Sequence, residues 1–374
     1  MQGLSNTRSL GAAGIPVIVV DKEDCVARHS RYCTGFFRCP EYGSDALADF
    51  LIRLAETQNL ADWLLLPSND HAVLTLSRNK ARLEAHFKVI TPGLDIIETI
   101  YDKSQLLTLA QLLGVPIPGT FYAQDAAPAD VPPSFPVLTR GRFGLDFYKA
   151  TGCKAFLAND KAELHRQLAR IAAAFPVEKT LTQSLIPDDG TNKTISFCGF
   201  CVAGEIKAYW MGEKLREHPL RFGTATFARS MYAEPCLTQS VKLLKALDYT
   251  GVCEVEYLRD PRDGQYKLIE INARTWLWVG LARACGVDFA KMVYDHVNSM
   301  EQPYPRAYEI DVYWMNPWTD IAYAAKAILQ GHLILGAYLD SLMKRKIISA
   351  VFEKGDIRPG IAYLLSMLSY LKKR

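Results

Sequence analysis

Over residues 1–100, short apolar runs alternate with segments whose apolar positions recur every three or four residues. Residues 8–13 carry the helical spacing and lead through Gly14 into Pro16-Val-Ile-Val-Val-Asp21, which reads as a buried strand. Trp63-Leu-Leu-Leu-Pro67 and Lys88-Val-Ile-Thr91 repeat the strand signal, with helical segments between them. Alternation of this kind predicts a parallel sheet covered by helices. Such a unit normally opens with a strand, yet only residues 1–5 precede the first helix. The pattern implies either a misassigned start or a sheet lacking a strand that would ordinarily sit inside it. The Gly-x-Gly-x-x-Gly fingerprint is absent, so dinucleotide binding has no support.

Residues 101–113 form a predicted helix with Leu106, Leu109, Ala110 and Leu113 on one face, stopped by Gly114 and Pro116. The proline-rich stretch 128–136 reads as a linker or long turn. Beyond it the pattern changes to short strand pairs, 135–140 with 154–157, and 179–186 with 194–202 and 205–211. Helices are predicted at 161–175 and 237–247, which together with the hairpins gives an α+β body. Residues 301–374 hold Trp314, Trp318 and an apolar stripe of Ile361, Leu364, Leu365, Leu368 and Leu371. That stripe predicts a helical tail packed on the body; the second reading is a peripheral membrane or partner helix ending in Lys372-Lys373-Arg374.

The 374 residues, 49% hydrophobic and 22% charged, are enough for two or three packed domains. Forty-three Lys and Arg against 40 Asp and Glu leave a net charge of +3, without the footprint of a nucleic-acid partner. Nine cysteines scattered through a long chain suit a reducing cytoplasm. Cys198-Gly-Phe-Cys201 has a ligand-like spacing, but no second pair follows, and on a strand these side chains face opposite sides. No secretory leader pattern opens the chain. The longest uncharged stretches, 327–339 and 360–371, fall short of the roughly 20 apolar residues that span a bilayer, so the chain is expected to be soluble.

The most informative segment is Gly251-Val-Cys-Glu-Val-Glu-Tyr-Leu-Arg-Asp-Pro-Arg-Asp-Gly264 followed by Gln-Tyr-Lys-Leu-Ile-Glu-Ile-Asn-Ala-Arg274. Two alternating strands flank a turn with Pro261 and Asp263-Gly264, so it reads as a hairpin. A turn centred on Asp263 sets Glu256 opposite Glu270, with Glu254, Asn272 and Arg274 on the same surface; a bulge would break that register. Directly opposed carboxylates repel and need solvent or a cation. Glu256, Glu270 and Asn272 offer the oxygens that a hard divalent ion accepts, with Arg274 beside them for phosphate. A charged, solvated sheet face would carry the same alternation.

At these residues the chain resembles the ATP-grasp superfamily, in particular ATP-dependent carboxylate-amine ligases similar to one half of the carbamoyl-phosphate synthase large chain. The resemblance spans residues 16–289 and rests most on Val255-Glu256-Tyr257, Asp260-Pro-Arg-Asp-Gly264 and Leu268-Ile-Glu-Ile-Asn-Ala-Arg274 in that order. It implies an α/β and α+β architecture: a Rossmann-like domain over 1–100, an ATP-grasp domain over 101–300 and a helical extension over 301–374. Within the middle part, a lid of about 120–185 and a body of about 186–300 hold ATP between two antiparallel sheets. Glu256, Glu270 and Asn272 become ligands of Mg²⁺ or Mn²⁺.

Asp102-Lys103 and Gly114-Val-Pro-Ile-Pro118 are similar to the stretch whose lysine reaches the ATP phosphates, which gives Lys103 that role. Pro136-Val-Leu-Thr-Arg140 resembles the strand that ends in a phosphate-binding lysine, here replaced by an arginine that is always charged. The loop 141–152 is implied to close over the phosphates, but it carries Phe143, Phe147 and Tyr148, bulk that suits substrate recognition or a damaged lid. Thr182-Gln-Ser-Leu-Ile-Pro-Asp-Asp189 resembles the adenine and ribose hinge. Where the family shows an acidic residue near Gln183 or Ser184, Gln183 is implied to accept from the adenine amino group, the Leu185 and Ile186 backbone to face the ring, and Asp188 or Asp189 to bind ribose. Of Lys207, Lys214, Arg216 and Arg221, Arg216 is assigned with Arg274 to catalysis, since an arginine fork suits a carboxylate or acyl phosphate. The other three are equally well a solvated cluster.

The implied activity is ATP-dependent joining of a small-molecule carboxylic acid to an amine through an acyl phosphate, with ADP and phosphate as products. It requires positioning and charge stabilisation rather than a protein nucleophile, so no Ser-His-Asp arrangement is needed; His71 and His218 are read as structural or substrate-facing. The rivals are a small-molecule kinase on the same scaffold and a nucleotide-binding protein without turnover. An oligomer could form through the tryptophan-bearing tail.

Overall fold

A computed structural model describes residues 1–122, 135–190, 192–218, 223–300 and 303–372. Most of the proline-rich stretch 128–136, Arg221 and the final two residues lie outside the described residues.

The N-terminal part runs α1 (Gln2–Ala12), β1 (Val17–Asp21), β2 (Cys33–Arg38), α2 (Ala46–Gln58), β3 (Trp63–Leu65), α3 (Asp70–Arg78), α4 (Lys80–Glu84), β4 (Phe87–Val89) and α5 (Leu94–Tyr101). The expected parallel pairing is present, β1 with β2 and β3 with β4, but as two separate two-stranded sheets. Leu47, Leu51 and Leu54 recur at helical spacing on α2 and pack with Leu76, Leu83 and Phe87 against Ile18, Val20 and Trp63.

α6 (Lys103–Leu112) leads into the segment expected as the lid, which runs β5 (Thr120–Tyr122), β6 (Val137–Gly141), α7 (Gly144–Thr151), β7 (Phe156–Ala158), α8 (Lys161–Ala172) and β8 (Thr180–Ser184). Its four strands form an antiparallel sheet in the order β5-β8-β6-β7. The segment expected to be a phosphate-covering loop is largely the helix α7. Phe147 is fully buried, edge-on to Phe156 at 5.9 Å and Phe175 at 5.3 Å, so it is the lid's own core rather than damage to it. Only Phe143 and Tyr148 of that aromatic group reach solvent.

The body contains β9 (Thr194–Val202), β10 (Glu205–His218), β11 (Thr224–Ser230), α9 (Glu234–Ala246), β12 (Gly251–Arg259), β13 (Tyr266–Asn272), α10 (Val279–Ala284) and α11 (Phe289–Val297). The C-terminal part adds β14 (Tyr313–Met315), α12 (Pro317–Leu329), α13 (Leu335–Leu342), β15 (Ile347–Ser349) and α14 (Arg358–Lys372). Seven strands make one sheet, ordered β13-β12-β9-β10-β11-β14-β15 and antiparallel except for the last pair. Phe197, Met211, Leu244, Val255 and Tyr257 lie in one core cluster, and Phe200, Trp210, Trp276, Trp278 and Trp314 in another. Cys201 belongs to the first and Cys198 to the second, as their odd spacing on β9 requires.

Three expectations need correction. The strand at 179–186 does not pair with 194–202; β8 completes the lid sheet, because a period of two specifies a face and not a partner. The C-terminal part is not helical throughout, since β14 and β15, too short to show a period, extend the main sheet. Trp314 is only 1% exposed and belongs to the core, while Trp318 packs on Phe352, which removes the tryptophans as an interface.

On α14, Ile361, Leu365 and Leu368 of the expected stripe are exposed, Leu364 is half-buried and Tyr363 packs inward, while the Leu371 side chain lies outside the described residues. The first turn explains this orientation, since a Cβ on Gly360 would lie 2.2 Å from the Phe352 ring.

One polar cluster joins the two ends of the chain. Arg8 of α1 is buried and donates from Nε to Asp356 Oδ2 at 2.8 Å and from Nη2 to the carbonyls of Val351 and Asp356. Ser30 Oγ and the Arg31 N–H also donate to the Asp356 carboxylate. Burial raises the Asp356 pKa, but these donors outweigh it and hold the group below its ordinary value. Arg8→Ala leaves that carboxylate buried without its cation, and chemical denaturation should show a loss of about 3–5 kcal/mol near neutral pH.

Candidate active site

The β12–β13 hairpin places the chemistry. Glu254 pairs with Asn272, Val255 with Ile271 and Glu256 with Glu270, the register expected from the turn. A shift follows between Glu256 and Tyr257, so on the turn side Tyr257 meets Leu268 and Leu258 meets Lys267. Ile269 is the extra residue, and its carbonyl accepts from Arg140 Nη2 at 3.4 Å. The turn is pinned by Asp260, which accepts from the Arg262 guanidinium and pairs with Lys267.

Cations from separate elements answer the opposed carboxylates. Lys214 Nζ, from β10, donates to Glu256 Oε1 at 2.8 Å. Lys103 Nζ, at the start of α6, stands 3.9 Å from Glu270 Oε2. Burial and the nearby Arg140 lower the Lys103 pKa against the pull of Glu270. Arg140 is lowered by burial, and its Nε is buried without a partner. Burial would raise the Glu270 pKa, but Lys103, Arg140, Lys214 and Arg274 together hold it low.

Two further pairs aim these groups. Arg274 grips Asp70 in bidentate fashion, Nε–Oδ1 2.8 Å and Nη2–Oδ2 2.9 Å, and its Nη2 lies 3.4 Å from Asn272 Oδ1. Asp102 caps α6 through the Ser104 N–H and pairs with Arg142 at 2.6 Å, while the Lys103 N–H donates to the Arg142 carbonyl. Lys103 is therefore tied to the end of the lid strand that carries Arg140.

Glu254 is the acidic member that sequence reasoning noted without a role. It is 3% exposed, accepting from Ser196 Oγ at 2.8 Å and Asn272 Nδ2 at 3.2 Å. Burial and then Glu256 push its pKa up to about 7, against Lys214 and Arg274. Asp70 and Lys214 carry no local sequence mark of these pairings. Asp70 opens α3 behind the Asn69 cap, an ordinary helix start in sequence.

Arg216 is not at this cluster. It pairs with Asp320 through Nε and Nη2, donates to Ser341 Oγ and lies over the rings of Phe227 and Tyr338. Register breaks on both sides of Arg216 in β10 interrupt the alternation that would place it with Lys214. Lys207 pairs with exposed Glu205.

The hinge residues have local partners. Gln183 Nε2 donates to Thr120 Oγ1, the Ser184 N–H to Gly119, and the Leu185 N–H to Pro136, so that N–H is committed within the lid. Ile186 is buried. Asp188 accepts from the Gly190 N–H and Asp189 from the Asn192 N–H in an exposed turn.

Among the described residues no group of three or more His, Cys, Asp or Glu is gathered to hold a metal by itself. Glu256, Glu270 and Asn272 instead present two carboxylates and one amide, oxygens of the kind that a hard divalent cation accepts. Beside Glu270 stand Lys103 and Arg140, the latter with its Nε buried and unpartnered.

Solved structures share this architecture. Biotin carboxylase from Campylobacter jejuni, in complex with β,γ-ATP, superposes with a TM-score of 0.63 at 16% identity, covering 83% of this chain and 72% of that one. L-amino acid ligase from Bacillus licheniformis gives 0.60 at 13% identity, covering 84% and 76%. Residues 225–295 match the family described as carbamoyl-phosphate synthase L chain, ATP binding domain. The chain thus shares the fold of these solved structures, and over residues 225–295 it is similar to that ATP binding domain. Among curated proteins it is similar to D-aspartate ligase of Enterococcus faecium (strain Aus0004), 24% identical over 240 residues that make up 60% of this chain. It spans only 56% of that relative's length.

Glu254 carries a pH test for the metal-free protein. Its raised pKa means that between about pH 4.5 and 7 the unfolded chain loses the proton first, so this group's contribution to stability falls with rising pH and is flat above. Denaturation of Glu254→Gln against the parent across that window should reveal a relative gain for the variant on the order of 3 kcal/mol.

Proposed function

We propose that the chain is an ATP-dependent carboxylate-amine ligase. A substrate carboxylate oxygen attacks the γ-phosphorus of ATP and the bond to the β-phosphate oxygen breaks, leaving ADP and an acyl phosphate. The nitrogen of an amine then attacks the acyl carbon, the carbon–oxygen bond to phosphate breaks, and the nitrogen gives up its proton to solvent. The observation that carries this reading is Glu256 in register with Glu270, facing Lys103 and Arg140.

Lys103 and Arg140 would bind the phosphates and offset the charge that develops during transfer. Glu256, Glu270 and Asn272 would hold Mg²⁺, with Mn²⁺ suited to the same ligands. Such an ion, when bound, polarises phosphoryl oxygens. Arg274, aimed by Asp70, would face the acid or the acyl phosphate. The hinge at Gln183, Ser184, Leu185, Ile186 and Asp189 remains the proposed nucleotide contact, with the Leu185 N–H bond to Pro136 rearranging or its carbonyl serving instead. Arg216 is withdrawn from the catalytic set because Asp320 occupies it. Nine cysteines without a disulfide support a reducing compartment, the cytoplasm.

The similarity to D-aspartate ligase and L-amino acid ligase supports carbon–nitrogen bond formation over phosphoryl transfer alone. ADP release measured over a panel of carboxylic acids, with and without pooled amino acids, tests the reading: ADP should form only when acid and amine are both present. ADP formation with acid alone, yielding a stable phosphorylated product, would instead identify a kinase.

Two variants test the residue roles. Glu270→Gln should lower turnover by at least about 100-fold at unchanged melting temperature. Arg140→Lys should keep activity within about tenfold of the parent, because a lysine still supplies a phosphate-binding charge at that place. An inactive but folded lysine variant would assign Arg140 an arginine-specific role through its contact with Ile269.

A further inference from the structure

The C-terminal part contains an apolar surface that the ligase reading does not use. After α12 the chain turns at Gly331 into α13, and over residues 327–343 Asp340 is the one Asp, Glu, Lys or Arg. Globular helices ordinarily bury an apolar stripe, yet α13 buries only Tyr338. Leu335, Leu339 and Met343, spaced along one face, are 54%, 51% and 84% exposed. Leu329 and Ile334, flanking the turn, reach 88% and 77%.

This hairpin is held in place rather than frayed. Arg216 lies over the Tyr338 ring, donates to Ser341 Oγ and grips Asp320 of α12, so one guanidinium fastens both helices to β10. The apolar side chains are thus displayed from an anchored base.

The charge around them is positive. Lys326 on α12 and Lys344 and Arg345 after α13 are exposed, and none has an ion pair among the described residues. Lys344, Arg345 and Lys346 border an open cleft of about 550 Å³, where Glu309 is taken by Lys346 and Asp311 pairs with Arg229. Asp320 is neutralised by Arg216, which leaves Asp340 as the opposing charge.

We infer that α12 and α13 seat this protein on an anionic lipid surface. Leu329, Ile334, Leu335, Leu339 and Met343 enter the boundary of the acyl region while Lys326, Lys344 and Arg345 meet headgroup phosphates. Protruding apolar side chains flanked by unpaired cations match a surface that is apolar beneath anionic groups. No helix among the described residues is long and apolar enough to cross a membrane, so the hairpin lies on the bilayer. This inference is independent of the catalytic reading.

Co-sedimentation of the full chain with vesicles of phosphatidylcholine alone, and with about 30 mol% phosphatidylserine added, tests it. The anionic vesicles should bind at least about tenfold more tightly, and salt near 0.5 M should weaken the binding. Leu339→Asp and the double change Lys344→Glu, Arg345→Glu should each reduce it about tenfold or more, with melting temperature and ATP turnover in solution unchanged. Failure to pellet with anionic vesicles would overturn the inference. So would equal binding to both vesicle types, or variants that bind like the parent. A dimer in sedimentation velocity that Leu339→Asp dissolves, without vesicle binding, would assign the face to a second copy of the chain.

Discussion

Two carboxylates set directly across an antiparallel ladder are the constraint around which the molecule is arranged. Glu256 and Glu270 repel one another, and their neighbour Glu254 is buried, so the hairpin is tolerable only when cations reach it from outside. Lys214 arrives from the adjoining part of the sheet, Lys103 from the helix that precedes the lid, and Arg140 from the lid itself. Electrostatic need thereby ties the two antiparallel sheets together around the hairpin. Each supporting charge is itself positioned, Arg274 by Asp70 and the Lys103 turn by Asp102 with Arg142.

The same economy of buried charge organises the rest. Arg8 and Asp356 clamp the first helix to the far end of the chain, and Arg216 with Asp320 fastens the C-terminal helices to the sheet. Breaking either pair would strand a charge in a dry setting, so each acts as a firm joint. Because Arg216 does this work, it is lost to the active site. Because it anchors α12 and α13 from one side, their other side stays free to meet a partner, and the structure displays apolar side chains there.

Much of this was legible from local pattern. Alternation across 251–274 located the hairpin and its carboxylate face, and the register at Glu256 and Glu270 is the one the turn suggested. It holds, however, by way of a bulge at Ile269 that shifts the turn-side pairs, a compensation that spacing alone does not reveal. Aromatic bulk at Phe147 looked like an intrusion into a loop and is the core of the lid, because Phe156 on β7 and Phe175 beyond α8 close around it. Glu254 looked like one more member of a polar face, and only its burial beside Glu256 makes it a carboxyl that holds its proton.

By itself the sequence determined which segments are strands or helices where they are long enough to show a period, and which side chains share a face within one element. Those are local consequences of a repeat of 2.0 or 3.6 residues and of turn chemistry. The tertiary structure alone decided which strand lies beside which, as with β8 in the lid and β14 and β15 in the body. It also decided which charge answers which: Asp70 for Arg274, Lys214 for Glu256 and Asp320 for Arg216. An ion pair depends on separation through space, and residues more than 40 positions apart carry no mark in sequence of the partner that folding brings to them.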